Sequence, residues 1–118
     1  MKTVTVDGIV YVEKSGIKEQ PAIVEKNYAI VRSSMAGVFA GEIVKRINKE
    51  VEMKNARRLW YWDGAASLSQ LAMEGVTKPE TCKFPCEVTK SIITEVCEII
   101  YCTKKAINSI KGVPVWRK

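Results

Sequence analysis

The chain contains no histidine. That absence removes the commonest general base near neutral pH, every Ser-His-Asp or Cys-His nucleophile arrangement, and most catalytic zinc sites. Long apolar runs are missing too: no stretch of about 18 apolar residues occurs, and Met1 to Val6 meets Asp7 and Gly8 before a signal-type segment can form. Export by a leader and passage through a membrane are not expected, and a cytoplasmic location is. Walker patterns, internal repeats and low-complexity linkers are absent, and Asp63, Glu74, Glu80 and Glu95 stand scattered without a carboxylate partner. Asp63 is read as serving the turn before a helix. Nothing spells catalysis, and no cofactor or metal is called for.

What is present is a chain of 118 residues, 47% apolar and 27% charged, enough for one modest core and one domain spanning residues 1–118. Nineteen Lys plus Arg against thirteen Asp plus Glu give a net charge of +6 and a pI near 9.2, which favours anionic partners such as nucleotides or nucleic acid.

Thr3 to Glu13 reads as a hairpin about Asp7-Gly8, and Lys14 to Lys26 as a loop leading to a strand at Tyr28 to Arg32. Val38 to Ile47 and Glu50 to Lys54 form the next pair through Asn48-Lys49, the second alternating with Val51 and Met53 on one face. Gly37 and Gly41 signal a bulge, a turn, or close approach of another backbone or a ligand. A helix near Ala66 to Glu74 buries Ala65, Leu68, Leu71 and Ala72 and closes at Gly75. Thr77 to Pro85 is a loop; Glu87 to Tyr101 is strand-like with an irregularity at Thr94-Glu95. The last helix takes Thr103 as N-cap, buries Ala106, Ile107 and Ile110, and stops at Gly112 before Pro114. The expectation is α+β: an antiparallel sheet of about six short strands with two short helices packed on one side.

The densest chemistry lies in Asn55 to Trp62. If extended, this segment places Arg57, Leu59 and Tyr61 on one face and Arg58, Trp60 and Trp62 on the other, so each face pairs a guanidinium with an aromatic ring. Guanidinium grips phosphate and a ring stacks on a base; equally, Trp and Tyr are ordinary core residues and Arg stacks on neighbouring rings. Arg32 with Ser33 and Ser34 offers a further cation and hydroxyls. Lys104, Lys105, Lys111, Arg117 and Lys118 form a basic C-terminal stretch, with the first two on a helix turn that disfavours cations. Cys82, Cys86, Cys97 and Cys102 are separated by three, ten and four residues, too loosely for a zinc knuckle, and are read as buried thiols.

Tyr28-Ala29-Ile30-Val31-Arg32, Ala36 to Gly41, Asn55 to Gln70 and Cys82-Lys83-Phe84-Pro85 together resemble the phage and prophage Thoeris anti-defence family of the first type, over roughly residues 27 to 118. The resemblance implies a sponge in the host bacterial cytoplasm that sequesters cyclic ADP-ribose isomers, and in some members cyclic oligonucleotides, without degrading them. It also implies a homo-oligomer, a dimer or trimer of dimers, with ligand near subunit contacts. Placed on that family segment, Arg57 and Arg58 become the phosphate candidates with Arg32 second, Asn55 reads a ribose or base edge, and Trp60, Trp62 or Phe84 stacks on adenine. Arg57→Ala is accordingly expected to weaken capture and leave the melting temperature nearly unchanged. The rival expectations are a sequence-tolerant binder of single-stranded nucleic acid and a histidine-free phosphodiesterase.

Overall fold

The structure, a computed structural model, describes residues 3–6, 9–12 and 24–118, with side chains from Asn27 onward. Strands β1 (Thr3–Val6) and β2 (Ile9–Val12) pair antiparallel, with Val6 opposite Ile9. The hairpin expectation holds; its Asp7-Gly8 turn and most of the Lys14 to Lys26 loop lie outside the described residues.

A second, five-stranded antiparallel sheet is built from β3 (Val24–Ser33), β4 (Gly37–Ile47), β5 (Glu50–Arg58), β6 (Val88–Ile93) and β7 (Val96–Thr103), in the order β6-β5-β4-β3-β7. Five strands stand where about six were expected, because the first hairpin forms its own sheet. The segment from Glu87 to Tyr101 is two strands, and they occupy opposite edges although only Thr94 and Glu95 separate them. Such a link requires the sheet to curl at that end. Three hydrogen bonds hold the curl: Ser34 N–H donates to Glu95 O at 3.1 Å, Val96 N–H to Lys49 O at 2.9 Å, and the Ser33 hydroxyl to Thr94 O at 2.7 Å. Glu95 takes a left-handed backbone (φ 54°) at this kink, where the chain passes from one edge to the other without changing direction.

Curling gives the sheet two apolar faces. Inside the curl Val31, Phe39, Val51, Met53, Ala56 and Ile93 form one buried cluster. On the other face α1 (Leu68–Glu74) and α2 (Lys104–Gly112) cover Tyr28, Ile30, Ala40 and Cys102 with Leu71, Ala72, Ala106, Ile107 and Ile110. Both helices therefore lie on one side, as expected. Ser67 caps α1 by accepting from Gln70 N–H and Gly75 closes it at φ 82°. Thr103 caps α2 through Ala106 N–H and also donates to Met73 O at 2.8 Å, tying the two helices together.

Gly41 marks the closest approach of two strands. A Cβ there would lie 2.6 Å from Ala56 Cα, and the ladder slips at this point opposite Asn55, whose φ is 52°. The glycine is needed because the β5 bulge pushes backbone against backbone.

Candidate functional site

Arg57 and Arg58 are consecutive on β5, and strand alternation sends them to opposite faces. Arg57 turns under the helices and is 3% exposed. Its Nε donates to Pro85 O at 2.9 Å, Nη1 to Ile110 O and Val113 O at 3.0 Å each, and Nη2 to Phe84 O at 2.6 Å. Burial lowers its pKa from the ordinary guanidinium value. Four backbone carbonyls replace the water that a buried cation forfeits. Arg57 is thus a clamp on the end of α2 and the Phe84-Pro85 turn, which corrects its reading as a phosphate ligand. Phe84 is corrected with it: the ring is fully buried, lies 5.5 Å from the Arg57 guanidinium, and has no face for adenine.

Arg58 turns the other way and is exposed. Its partner across the ladder is Phe39, and the guanidinium stands 4.4 Å from that ring's centroid while Nη1 donates to Ala36 O. Together they form one wall of a cleft of about 310 Å³ at the mouth of the curled sheet, completed by Ala56, Pro85, Cys86, Val88, Ser91, Ile92 and Ile93. The Ser91 hydroxyl is buried there with no hydrogen-bond partner among the described residues. A buried polar atom left unpaired costs stability, so its presence in a cleft wall asks for a donor or acceptor from outside. Arrangement and chemistry agree: a planar cation on an aromatic shelf, an apolar slot, and one free hydroxyl.

The other candidates do not join this cleft. Arg32 carries an exposed ion pair to Glu98, Nε to Oε1 at 2.8 Å, which raises its pKa through the side-chain hydrogen bond. Asn55 is half-buried and supplies the left-handed bulge residue. Alternation fails after Leu59, because Trp60 and Tyr61 both donate their N–H groups to Lys83 O, at 3.1 and 3.4 Å. Tyr61 is consequently turned outward beside the exposed Trp60, and Trp62 packs against the helix-side core. Of the seven expected ligand-binding residues only Arg58 lines the cleft. Phe39 and Ser91, which sequence reasoning did not single out, stand beside it; Phe39 is placed there by its cross-strand register with Arg58, which the structure supplies.

A second cleft, of about 380 Å³, lies between β3, β4 and α2, lined by Asn27, Tyr28, Glu42, Lys104, Ile107, Asn108 and Lys111. Tyr28 carries the other buried hydroxyl without a partner among the described residues, and burial raises its pKa. All four cysteines are free, Cys82 and Cys102 buried, but Cys86 and Cys97 exposed, against the expectation of four buried thiols. Asp63 Oδ2 accepts from the Thr81 hydroxyl at 3.0 Å, which ties the segment before α1 to the chain that follows it.

Fold and cleft define a small α+β domain with an arginine-bearing slot at the end of a curled sheet. The chain belongs to a family described as a domain of unknown function, DUF6948, whose model matches residues 26–110. No curated protein and no solved structure matches the chain.

Proposed function

We propose that the protein is a stoichiometric binder of a phosphorylated nucleotide, taken up in the Arg58 cleft and held without turnover. The observation that carries this reading is the Arg58 guanidinium fixed on the Phe39 ring at the rim of a 310 Å³ slot. That volume is at the lower end of the range for small-molecule sites, roughly 300–1,000 Å³. Only one donor of Arg58 is engaged among the described residues, which leaves the fork available to a phosphate. A base enters the apolar slot between Val88, Ile92 and Phe39, and the Ser91 hydroxyl meets its edge or the ribose. The resemblance to the Thoeris anti-defence family supports cyclic ADP-ribose isomers as the ligand.

One guanidinium is little for two phosphates, and Arg57 and Arg32 are both committed elsewhere. The cleft is flanked by β6, an edge strand with Val88 and Ile92 exposed. A second copy added at that edge roofs the slot and brings a further set of cations, so the reading includes a homo-oligomer.

Calorimetric titration with a panel of cyclic ADP-ribose isomers tests the reading, together with a molar-mass measurement and recovery of the ligand after heating. Expected are near-stoichiometric binding, an affinity loss of about tenfold or more in Arg58→Ala, and chemically unchanged ligand. Equal affinity in Arg58→Ala removes the cleft from the account. Recovery of a linear product makes the protein an enzyme.

A further inference from the structure

Beyond the cleft, three short segments meet on the surface. Tyr61 bridges Lys83, and Phe84 bridges Val115; Lys83 N–H donates to Tyr61 O at 2.7 Å and Trp116 N–H to Phe84 O at 3.0 Å. The Arg57 clamp on Phe84 O and Val113 O anchors this small ladder from below. On top the Lys83 ammonium stands between two rings, 5.9 Å from the Tyr61 centroid and 5.6 Å from that of Trp116. Tyr61 is 49% exposed, Trp116 42%, and the neighbouring Trp60 64%. Arg117 and Lys118 follow directly, and no acidic residue occurs after Glu98.

Three large rings left in water need a reason, and their surroundings say which kind of partner suits them. A protein-seeking patch has a core depleted in charge. Here an ammonium occupies the centre, between the rings, and every nearby charge along the terminus is positive. Aromatic faces with a cation between them match alternating bases and phosphates of a flexible polymer, because every base has a stackable face and every linkage an anionic charge. A duplex hides its base faces and does not fit.

We infer that the Tyr61, Lys83 and Trp116 ridge binds single-stranded nucleic acid without sequence preference, at a site separate from the Arg58 cleft. The backbone beneath the ridge is hydrogen-bonded from Lys83 N–H to Tyr61 O and from Trp116 N–H to Phe84 O, so little backbone order has to be imposed on binding.

Fluorescence anisotropy with a labelled dodecamer of thymidine, and a duplex of equal length, tests this on the full chain. Expected are binding of the single strand and much weaker binding of the duplex. Affinity for the single strand falls about tenfold in Trp116→Ala, and the salt slope drops by about 0.7 in Lys83→Gln. Arg58→Ala keeps its affinity for the thymidine dodecamer, so failure here and failure of the cleft reading are told apart. Absence of single-strand binding overturns the inference. So does binding that Trp116→Ala and Lys83→Gln leave unchanged while both variants melt like the parent protein. An oligomer that dissociates on Tyr61→Ala or Trp116→Ala assigns the ridge to contact between copies and overturns it as well.

Discussion

Replacing Arg57 by alanine removes four hydrogen bonds at once, but their loss is not uniform. Phe84 O keeps the Trp116 N–H and Ile110 O keeps the Val113 N–H, whereas Pro85 O and Val113 O lose the partner described for them. A carbonyl left without a partner away from water costs about 1–3 kcal/mol; Val113 O is buried and bears that cost in full, whereas Pro85 O is only half-buried and bears the lower part of it, which places the loss at about 2–5 kcal/mol. That is a large share of the roughly 5–15 kcal/mol by which domains of this kind are stable. At about 4 °C per kcal/mol the midpoint of thermal unfolding falls by about 8–20 °C. Scanning calorimetry on parent, Arg57→Ala and Arg58→Ala proteins reads this directly. Arg58 is exposed and spends one bond on Ala36 O, so its variant melts close to the parent. An Arg57→Ala midpoint within about 2 °C of the parent refutes the clamp and returns Arg57 to the ligand-binding candidates.

Alkaline solution tests the buried thiol of Cys102, whose pKa burial pushes up to about 12. The unfolded chain releases this proton near its ordinary pKa of about 8.5 and the folded chain does not. Stability is therefore full below that value and declines as pH rises from there toward 12. Urea midpoints at pH 7.5 and 10.5 fall further in the parent than in Cys102→Ala, and equal declines sink the assignment. Gly41→Ala drives a methyl into the Ala56 backbone and is expected to cost about 1–3 kcal/mol; a neutral effect in denaturant titration shows that the strands part freely. Arg32→Ala removes only an exposed, solvent-screened ion pair with Glu98 and leaves nucleotide capture intact; lost capture in calorimetry puts Arg32 back in the site.

Local signals were legible where one or two neighbouring residues decide the backbone. Thr103 before an apolar stripe, Gly75 after one, and Asn48-Lys49 between alternating runs each settle a terminus or a turn within a few residues. Gly41 was legible as a close approach, but its partner, the bulge at Asn55 and Ala56, lies across the sheet and leaves no trace beside the glycine. The separation of β6 from β7 is of the same kind. The β-branched run through Ile92, Ile93 and Val96 says nothing about which edge a strand joins; the curl that decides it is fixed by bonds to Thr94 O and Glu95 O from Ser33 and Ser34 and by the Val96 N–H donated to Lys49 O. The candidate site was legible only as a segment. Residue types can mark a guanidinium as a phosphate ligand, but the groups that occupy Arg57 are backbone carbonyls, which every residue carries. The outward turn of Tyr61 likewise follows from two N–H groups sharing Lys83 O, a feature no side chain announces.

The opposite fates of two adjacent arginines also connect them. Pro85 lines the Arg58 cleft, and its carbonyl is held by Arg57 Nε. Arg57 therefore positions a wall of the slot from behind without touching what enters it. Both Arg57→Ala and Arg58→Ala are expected to weaken nucleotide capture, so affinity alone does not separate the roles. Salt does. A direct phosphate contact is screened as ionic strength rises, whereas displacement of an apolar wall is not. Titrations at 50 and 300 mM salt, at a temperature where every variant is fully folded, should show a flatter salt dependence for Arg58→Ala than for the parent. Arg57→Ala, weaker overall, should keep the parent's slope. If the Arg57 variant also flattens, its guanidinium reaches the ligand, and the hydrogen bonds assigned to it here are not those of the bound state.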